Sequence, residues 1–519
     1  MTNNSFKRKL IASVVASSAM VGFAGAQAQQ AEDAMLEEIV VTGIRASLTR
    51  SMDIKRDSSG IVDAISAEDI GKFPDTNLAE SLQRITGVSI DRRDGEGSKV
   101  TVRGLGPDFN LVTLNGRQMP GASIDATSAS GSRSFDFANI ASESVTGVVV
   151  SKTSRADTPP GGMGATIDVQ TPRPLELDSR VSVGVKGVFD DSSVDSELTP
   201  EISGIYTDTF ADGMFGVAVT GSYQERKGGS ATAQIGTGWI SYEGTGTGVD
   251  FENGNNHMSR PADNDIYSVP QQIGYAFSEF ERERTNGQVT LQFAPNEDLT
   301  TTLDYTYSEN EIASTYSDVG GWFSFGGQST VFTDHESPAV QTPLLYSEDH
   351  ANPADLPFGV GEQAALYEND SVGLNVEWSP MDKLTLALDY HSSTAEAKPG
   401  NEYGNSAGIA VSAFVRDRTT ANLKGEMPVM VLDVLDGAGG TSLRTEDLQV
   451  SGSFFRASQM KHDIDQLQVD GEWEFSEALR LQFGAASTES DYVSAFSVVQ
   501  RDTWGGLGEP GNMPDEFFS

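Results

Sequence analysis

Side chains that could carry out catalysis are scattered in this sequence. The sequence contains five histidines without the spacing of metal ligands: His257, His335, His350, His391 and His462. No phosphate-binding loop occurs, and the segment 104–106 lacks the third glycine of a dinucleotide site. Arg92 and Arg93 interrupt the acidic segment 91–94, which argues against a calcium loop. We therefore predict that the protein is not an enzyme and holds neither a metal nor another cofactor.

One short run near the N-terminus has residue types that suit partner binding. Ile39, Val40 and Val41 are β-branched, and Glu38 and Thr42 flank them within a polar segment. Because β-branched residues favour extended backbone, the run could add as a strand to the sheet edge of another protein. The alternative is an ordinary first strand that packs on the following domain.

A second candidate for binding is the aromatic group Trp322, Phe323 and Phe325 beside Gly320 and Gly321. Aromatic rings offer apolar area with a specific geometry, so this group could stack on the faces of sugar rings. Structural packing within a folded loop is the alternative.

The composition excludes some classes of function. The 519 residues carry a formal net charge of −40, and a surface of this charge repels phosphate backbones, so we predict no nucleic-acid binding. No interior stretch reaches the length of about 18 apolar residues that a membrane helix needs. A membrane β-barrel is compatible with this composition, because its strands present only every second side chain to lipid. The absence of cysteine fixes no compartment.

The first 28 residues predict export. Residues 7–9 are basic, residues 10–23 are apolar or small, and Ala26-Gln27-Ala28 fits a cleavage site. A membrane anchor is the alternative, but the apolar run is too short and ends in small residues. We expect the mature chain to begin near Gln29.

Residues from about 53 to 175 have the pattern of a compact α/β domain. Asn77 and Glu80 are spaced as in a capping box ahead of a short amphipathic helix. Asn115 and Gly116 form a hairpin-turn dipeptide that follows the apolar run 111–114.

From about residue 180 onward, apolar and polar residues alternate in segments that predict strands. The nine segments lie near residues 181–185, 202–206, 215–223, 289–293, 299–307, 372–378, 384–390, 467–475 and 479–483. Aromatic residues such as Trp378 and Trp473 lie near the short turns, and the other connections are long loops, such as about 308–370 and 392–463. These features are typical of an outer-membrane barrel. A soluble sandwich with one wet face is the alternative, but loops of this length are unusual in one.

Five motifs follow one another in a specific order along the first 175 residues. They are Glu38-Ile39-Val40-Val41-Thr42, Asn77 to Val88, Thr101-Val102-Arg103-Gly104, Leu114-Asn115-Gly116-Arg117, and Val150-Ser151-Lys152 with Gly161 to Val169. Together they resemble the TonB-dependent outer-membrane receptors, in particular the large group in carbohydrate-scavenging proteobacteria. The resemblance implies an α/β plug domain inside an antiparallel transmembrane β-barrel of about 22 strands. Because only about nine segments are present, we expect an N-terminal fragment with an incomplete barrel.

The resemblance also assigns roles to residues. Residues 38–42 resemble the TonB box, through which the inner-membrane protein TonB pulls on the plug. Arg103 and Gly104 match one plug motif, and Asn115, Gly116 and Arg117 match the next. Arg103 is a candidate for a charged contact between plug and barrel wall, with Arg117 treated in the same way; a solvated surface arginine is the alternative.

We therefore expect four parts: a signal peptide at 1–28, an N-terminal segment with the TonB box at 29–52, a plug domain at 53–175 and a partial barrel with long extracellular loops at 176–519. The predicted function is TonB-dependent active transport of a scarce ligand, by the subgroup resemblance an oligosaccharide, across the outer membrane of a Gram-negative bacterium. The predicted partners are TonB with its inner-membrane complex, outer-membrane lipid and an extracellular ligand.

Three other functions are alternatives to this prediction. A receptor for ferric siderophores or other metal chelates belongs to the same family, and a passive porin or surface adhesin belongs to another class. A signalling receptor is disfavoured, because only about ten residues separate the cleavage site from Glu38 and leave no room for a further domain.

Overall fold

The computed structural model describes residues 51–501 with short gaps. The gaps are residues 59, 67–76, 94, 125–131, 133, 143–144, 157, 195–196, 245–247, 250, 252–256, 327–328, 333–339, 436–439 and 477–478. The predicted signal peptide and the predicted TonB box, Glu38 to Thr42, lie outside the described residues.

The first folded unit is an α/β domain. Its strands are β1 Val62–Ser66, β2 Val88–Arg93, β3 Glu96–Val102, β4 Leu111–Leu114, β5 Arg117–Gln118, β6 Gly147–Ser151 and β7 Thr166–Gln170. Strands β1, β6, β7, β4 and β5 form one sheet in this order, and β2 pairs with β3 in a separate hairpin. Residues 51–57 are helical, helix α1 spans Leu78–Leu82, and 3-10 turns span Pro107–Phe109, Phe137–Asn139 and Pro174–Glu176.

Helix α1 begins where the sequence predicted. The side chain of Asn77 accepts a hydrogen bond from the backbone N–H of Glu80 at 3.3 Å, which is one half of a capping box. The carboxylate of Glu80 does not complete the box, because it accepts hydrogen bonds from Arg92 and from the N–H of Gly97. The buried side chains Leu78 and Leu82 join the domain's apolar core.

The second unit is a large β-sheet. Its strands and their neighbours are β8 Arg180–Phe189, β9 Leu198–Phe210, β10 Phe215–Gln234, β11 Trp239–Glu243, β12 His257–Met258, β13 Ile266–Pro270, β14 Gln272–Asn296, β15 Leu299–Trp322, β16 Ser329–Phe332, β17 Pro343–Met381, β18 Leu384–Pro399, β19 Ser406–Asn422, β20 Val429–Val434, β21 Leu448–Ser476 and β22 Leu479–Arg501. Nine of them, β8, β9, β10, β14, β15, β17, β18, β21 and β22, lie side by side in chain order as an antiparallel meander. Each contains one of the nine predicted segments, so the predicted fold class, an α/β domain with an antiparallel barrel wall, is confirmed. We call this sheet the wall.

The connections differ from those predicted. The regions 308–370 and 392–463, which were predicted as long loops, are largely strand, and β17 alone spans 39 residues. Strand β19 extends the line of β18 along β17, and it pairs with β20 and with the first part of β21. These extensions mix polar residues with small apolar clusters such as that of Leu356 and Val415, so the long regular alternation that reveals a lipid-facing strand is missing there.

The two faces of the wall differ in character. One face exposes large apolar side chains, among them Val219, Leu291, Leu303, Leu374, Leu388 and Val469. The opposite face is polar and buried, with Gln224, Arg284, Asp304, Asn310, Ser371 and His391 among its residues. The α/β domain contacts this polar face, as the hydrogen bonds described below demonstrate.

Among the residues that the structure describes, no helix is long and apolar enough to cross a lipid bilayer.

Candidate functional site

The most deeply buried charge contact joins the α/β domain to the wall through Arg117. Its Nη1 lies 2.7 Å from a carboxylate oxygen of Asp304 on β15, and its Nε lies 2.8 Å from a carboxylate oxygen of Asp389 on β18. The side chains of Arg117 and Asp304 are only 4% and 2% exposed. Asn375 donates a further hydrogen bond to Asp389 at 3.1 Å. One guanidinium of the domain is therefore held by two strands of the wall.

The turn before Arg117 fixes its position. Asn115 and Gly116 have φ values of 52° and 84°, as a type I′ turn between β4 and β5 requires. The carboxylate of Asp168 accepts hydrogen bonds from the N–H of Gly116 and the hydroxyl of Thr113, both at 2.7 Å. Burial raises the pKa of Asp168 above its usual value, although these hydrogen bonds act in the opposite direction. The amide of Asn115 also bonds to Thr171, so the turn is anchored on both sides.

The electrostatics of Arg117 favour the charged form. Burial lowers its pKa, but the hydrogen bonds to Asp389 and the negative charges of Asp304 and Asp389 raise it more, so the pKa lies above its ordinary value. Gly373 on β17 leaves the space that the guanidinium occupies, since a Cβ atom at this position would overlap with the Nη1 atom of Arg117.

A second charge contact lies at Glu96, the first residue of β3. One of its carboxylate oxygens is 2.5 Å from an Nη atom of Arg282 on β14 and 3.8 Å from the Nε atom of Arg226 on β10. The other oxygen accepts a hydrogen bond from Asn77, the N-cap of α1, at 3.3 Å. Glu96 thus links the wall to the start of the domain's helix.

A third contact consists of uncharged acceptors on the 3-10 turn Phe137–Asn139. Arg284 donates to the carbonyl of Ala138 at 2.5 Å, and the hydroxyl of Ser308 donates to the carbonyl of Asn139. The side chain of Asn310 donates to the side chain of Asn139 at 3.0 Å. Together the three contacts connect the domain to β10, β14, β15 and β18.

Sequence reasoning missed Glu96, Asn139 and the aspartates that face Arg117. Asp304 lies between Leu303 and Tyr305 on β15. Its side chain is on the polar face of the strand, whereas those two neighbours are on the apolar face. A charged residue at an inward-facing position of a predicted strand is the signal that could have identified Asp304. A buried charge of this kind needs a partner of opposite charge.

The structure brings Arg117, and not Arg103, to the wall. Among the described contacts, Arg103 donates to the carbonyl of Lys152 at 2.6 Å, within the α/β domain itself. Arg103 and Gly104 have φ values of 56° and 75°, so this motif forms a turn in the left-handed region.

The aromatic group predicted for ligand contact divides into exposed and buried members. Trp322 ends β15 and is 46% exposed. Phe323 is buried, and its ring packs edge-to-face on Tyr346 with 5.0 Å between the centroids. Phe325 packs against the same apolar cluster. Of the three rings, that of Trp322 is therefore the most accessible to a ligand.

Two kinds of catalytic feature, a nucleophile elbow and a metal site, can be compared with the geometry of the described residues. Gly404 to Gly408 has the spacing of a nucleophile elbow, but its Ser406 is buried at the start of strand β19 and no helix follows. Within the described ranges, no group of three or more His, Asp or Glu side chains could hold a metal ion.

Comparison with known proteins gives one family match. Residues 54–166 match the family described as the TonB-dependent Receptor Plug Domain. No curated protein matches the sequence.

Solved structures of two receptors and one outer-membrane transporter are similar to the chain at low identity. The ferric preacinetobactin receptor BauA of Acinetobacter baumannii has 10% identity and a TM-score of 0.33, over 86% of this chain and 61% of that one. The outer-membrane transporter YddB of Escherichia coli has 9% identity and a TM-score of 0.35, over 80% and 67%. The siderophore receptor PirA of Pseudomonas aeruginosa has 12% identity and a TM-score of 0.26, over 85% and 92%. The chain thus spans 61% of the length of the first of these proteins.

Proposed function

The chain carries the plug domain of the TonB-dependent receptors and belongs to these outer-membrane proteins, and we propose that it transports a scarce ligand actively across the outer membrane. The α/β domain is the plug, and the polar face of the wall lines the lumen that the plug blocks. The apolar face of the wall faces lipid, and the short turns between strands face the periplasm.

The observation that carries this proposal is the buried contact of Arg117 with Asp304 and Asp389. Removal of one partner from a buried ion pair costs roughly 3–5 kcal/mol, because it leaves an uncompensated charge. A plug that is held in this way does not leave the wall often by thermal motion. Its displacement therefore needs work from outside, and we propose that TonB supplies it.

Residues 38–42 suit this coupling in their chemistry. Ile39, Val40 and Val41 favour extended backbone, so the run can pair with a strand of TonB. Several main-chain hydrogen bonds would then bear the pulling force in parallel. The described part of the chain begins at residue 51, close behind this segment.

For the ligand we propose an oligosaccharide, with a metal chelate as the alternative within the same family. The exposed ring of Trp322 supports a sugar ligand, because an accessible aromatic face can stack on a sugar ring. We further propose that the chain itself is not an enzyme.

Deletion of residues 37–43 tests the coupling. We expect the deletion to abolish uptake of a labelled ligand while binding at the cell surface persists, because the plug would stay in place. Deletion of residues 30–36, an equally long piece of the same N-terminal segment, is the control and should leave uptake unchanged. Uptake at the normal rate without residues 37–43 would instead favour a passive porin.

A further inference from the structure

A cavity of about 630 Å³ lies between the plug and the wall, next to Glu96. It is lined by the β2–β3 turn of the plug, by β10, β14 and β15, and by the segment 190–192 between β8 and β9. The connection between β8 and β9 lies at the end of the wall opposite the short turn 211–214. In the proposed orientation the cavity therefore opens toward the outside of the cell.

The cations of this cavity are poorly matched. Arg282 is 3% exposed, and neither its Nε atom nor the Nη atom nearest to Glu96 has a hydrogen-bond partner among the described residues. The Nε atom of Arg226 also lacks a hydrogen-bond partner there. The ion pair of Arg282 with Glu96 is short but lacks hydrogen-bond geometry. Arg226 and Arg282 therefore share the carboxylate of Glu96, Arg226 also lies 3.9 Å from a carboxylate oxygen of Glu201, and both guanidinium groups retain unused donors.

The other charged residues of the lining are already engaged. Asp190 accepts hydrogen bonds from the N–H and the hydroxyl of Ser192, and Glu279 accepts one from the N–H of Val194. Lys227 lies 3.3 Å from carboxylate oxygens of Glu197 and Glu281. The unused hydrogen-bond donors of the cavity therefore lie on Arg226 and Arg282, and an acceptor group of a ligand could reach them.

The remaining lining is rich in hydroxyl groups. It includes Ser230 and Ser278, whose hydroxyls bond to each other at 2.8 Å, together with Ser314, Tyr316 and Gln363. Such groups can exchange their mutual hydrogen bonds for bonds to a hydroxylated ligand. The volume is within the usual range of small-molecule sites.

We propose that this cavity binds a carboxylate carried on a hydroxylated ligand, and that this carboxylate replaces Glu96 on Arg226 and Arg282. The inference rests on the proposed transport function and specifies the acidic chemistry of its ligand. The same carboxylate chemistry occurs in uronic-acid oligosaccharides and in hydroxycarboxylate metal chelates, and the test separates these sources.

When the carboxylate of the ligand takes the place of Glu96 on the two arginines, a contact inside the plug also changes. Glu96 accepts a hydrogen bond from Asn77, so a carboxylate that turns away from the wall changes the contact that connects the wall to the N-cap of α1. Arg282 can therefore pair either with the carboxylate of the ligand or with Glu96. Binding of the ligand would thus detach the β2–β3 hairpin from the wall at this point.

The test is equilibrium binding to the purified protein in detergent, with three probes: trigalacturonate, the neutral maltotriose and ferric citrate. We expect at least one acidic probe to bind and the neutral probe to bind at least about tenfold more weakly, because it forms no charge-assisted hydrogen bonds. Arg282→Gln and Arg226→Gln should each weaken binding of the acidic probe about tenfold. Glu96→Gln should strengthen it severalfold, because it removes the competing carboxylate. These opposite directions distinguish loss of a ligand contact from general misfolding.

Arg480→Gln is the control, since Arg480 lies on β22 outside the lining of the cavity and pairs with Glu472 at 3.0 Å. It should leave binding of the acidic probe unchanged. Binding of trigalacturonate alone identifies an acidic sugar, and binding of ferric citrate alone identifies a chelate. The proposal is overturned if neither acidic probe binds, if maltotriose binds equally well, or if Glu96→Gln weakens binding as much as Arg282→Gln does. Binding needs no TonB, so such a failure would leave the transport proposal standing.

Discussion

At the scale of single residues, the plug and the wall are joined by charges that water hardly reaches. The guanidinium of Arg117 contacts two carboxylates at once, those of Asp304 and Asp389. Such a cluster is stable only while the guanidinium is in place, because two close carboxylates without a cation repel each other.

Arg117→Met should therefore destabilise the plug within the wall by roughly 3–5 kcal/mol. The measurement is the thermal unfolding midpoint of the purified protein in detergent, together with the rate at which protease cleaves the plug. The triple variant R117M/D304N/D389N removes all three charges and should recover most of the lost stability. A triple variant as unstable as the single one would contradict the charge argument.

A pH effect is expected at Asp63. Its carboxylate contacts the Nζ atoms of Lys55 and Lys152 at 2.6 and 2.5 Å. Burial raises the pKa of Asp63, but the two lysines lower it more, and the net shift is downward from 3.8. A lowered folded-state pKa means that Asp63 stabilises the fold above the unfolded-state pKa and loses this effect as the pH falls through the folded-state value.

The difference in unfolding midpoint between the natural protein and Asp63→Asn should thus be largest near pH 7. It should shrink below about pH 4 as Asp63 becomes protonated. Asp212→Asn, in the exposed turn before β10, is the control and should follow the natural protein at every pH. If the difference in unfolding midpoint between the natural protein and Asp63→Asn stayed constant between pH 7 and pH 2, the stabilising role of the Asp63 carboxylate would be contradicted.

At the scale of secondary-structure elements, the local signals of the sequence were sufficient for some parts and insufficient for others. The turn at Asn115 and Gly116 was predicted because its residue types meet the demand for positive φ directly. The partners of Arg117 could not be predicted, since Asp304 and Asp389 lie 187 and 272 residues away along the chain. Pairing over such distances depends on the register of the whole wall, which no local pattern encodes.

The same limit applies to the length of the strands. In the lipid-facing part of β17, near Leu374, apolar and polar residues alternate and the sequence predicts a strand, whereas it predicts a loop for the part near residues 343–363. That part is held by backbone hydrogen bonds to β19 and, near residue 360, to β15. Backbone pairing by itself does not select residue types, so it cannot be predicted where apolar and polar residues do not alternate regularly.

Arg117 of the plug lies very close to Gly373 on β17, so we expect a larger side chain at residue 373 to destabilise the contact. Gly373→Ala should displace the guanidinium of Arg117, because the added Cβ would overlap with it. We expect faster proteolysis of the plug and a lower unfolding midpoint, by roughly 1–3 kcal/mol. Gly287→Ala on β14 is the matched control, since a Cβ there meets no atom within 4 Å, and it should change little. Equal effects of the two substitutions would show that glycine flexibility, and not the contact with Arg117, is what matters at Gly373.

At the scale of the whole molecule, the wall works as a boundary between two environments. One face is apolar and the other binds the plug through charged and polar side chains. Because the plug contacts several strands of the wall, it cannot shift as a rigid body without breaking buried contacts at Arg117, Glu96 and Asn139 together. The proposed transport therefore requires either release of the plug or local rearrangement within it.

A crosslink between plug and wall tests this requirement. The chain contains no cysteine, so N139C/N310C would introduce two thiols without competing ones, at a pair whose amide groups bond at 3.0 Å. Closing this pair by oxidation or with a short bis-thiol reagent should remove most of the uptake, and reduction of a disulfide should restore it. The control S371C/S393C joins β17 to β18 within the wall, where the two hydroxyls lie 2.7 Å apart, and should leave uptake intact. Normal uptake by the crosslinked N139C/N310C protein would contradict this requirement at Asn139, because the plug would then stay attached to β15 during transport. The path of the ligand would have to open on another side of the plug.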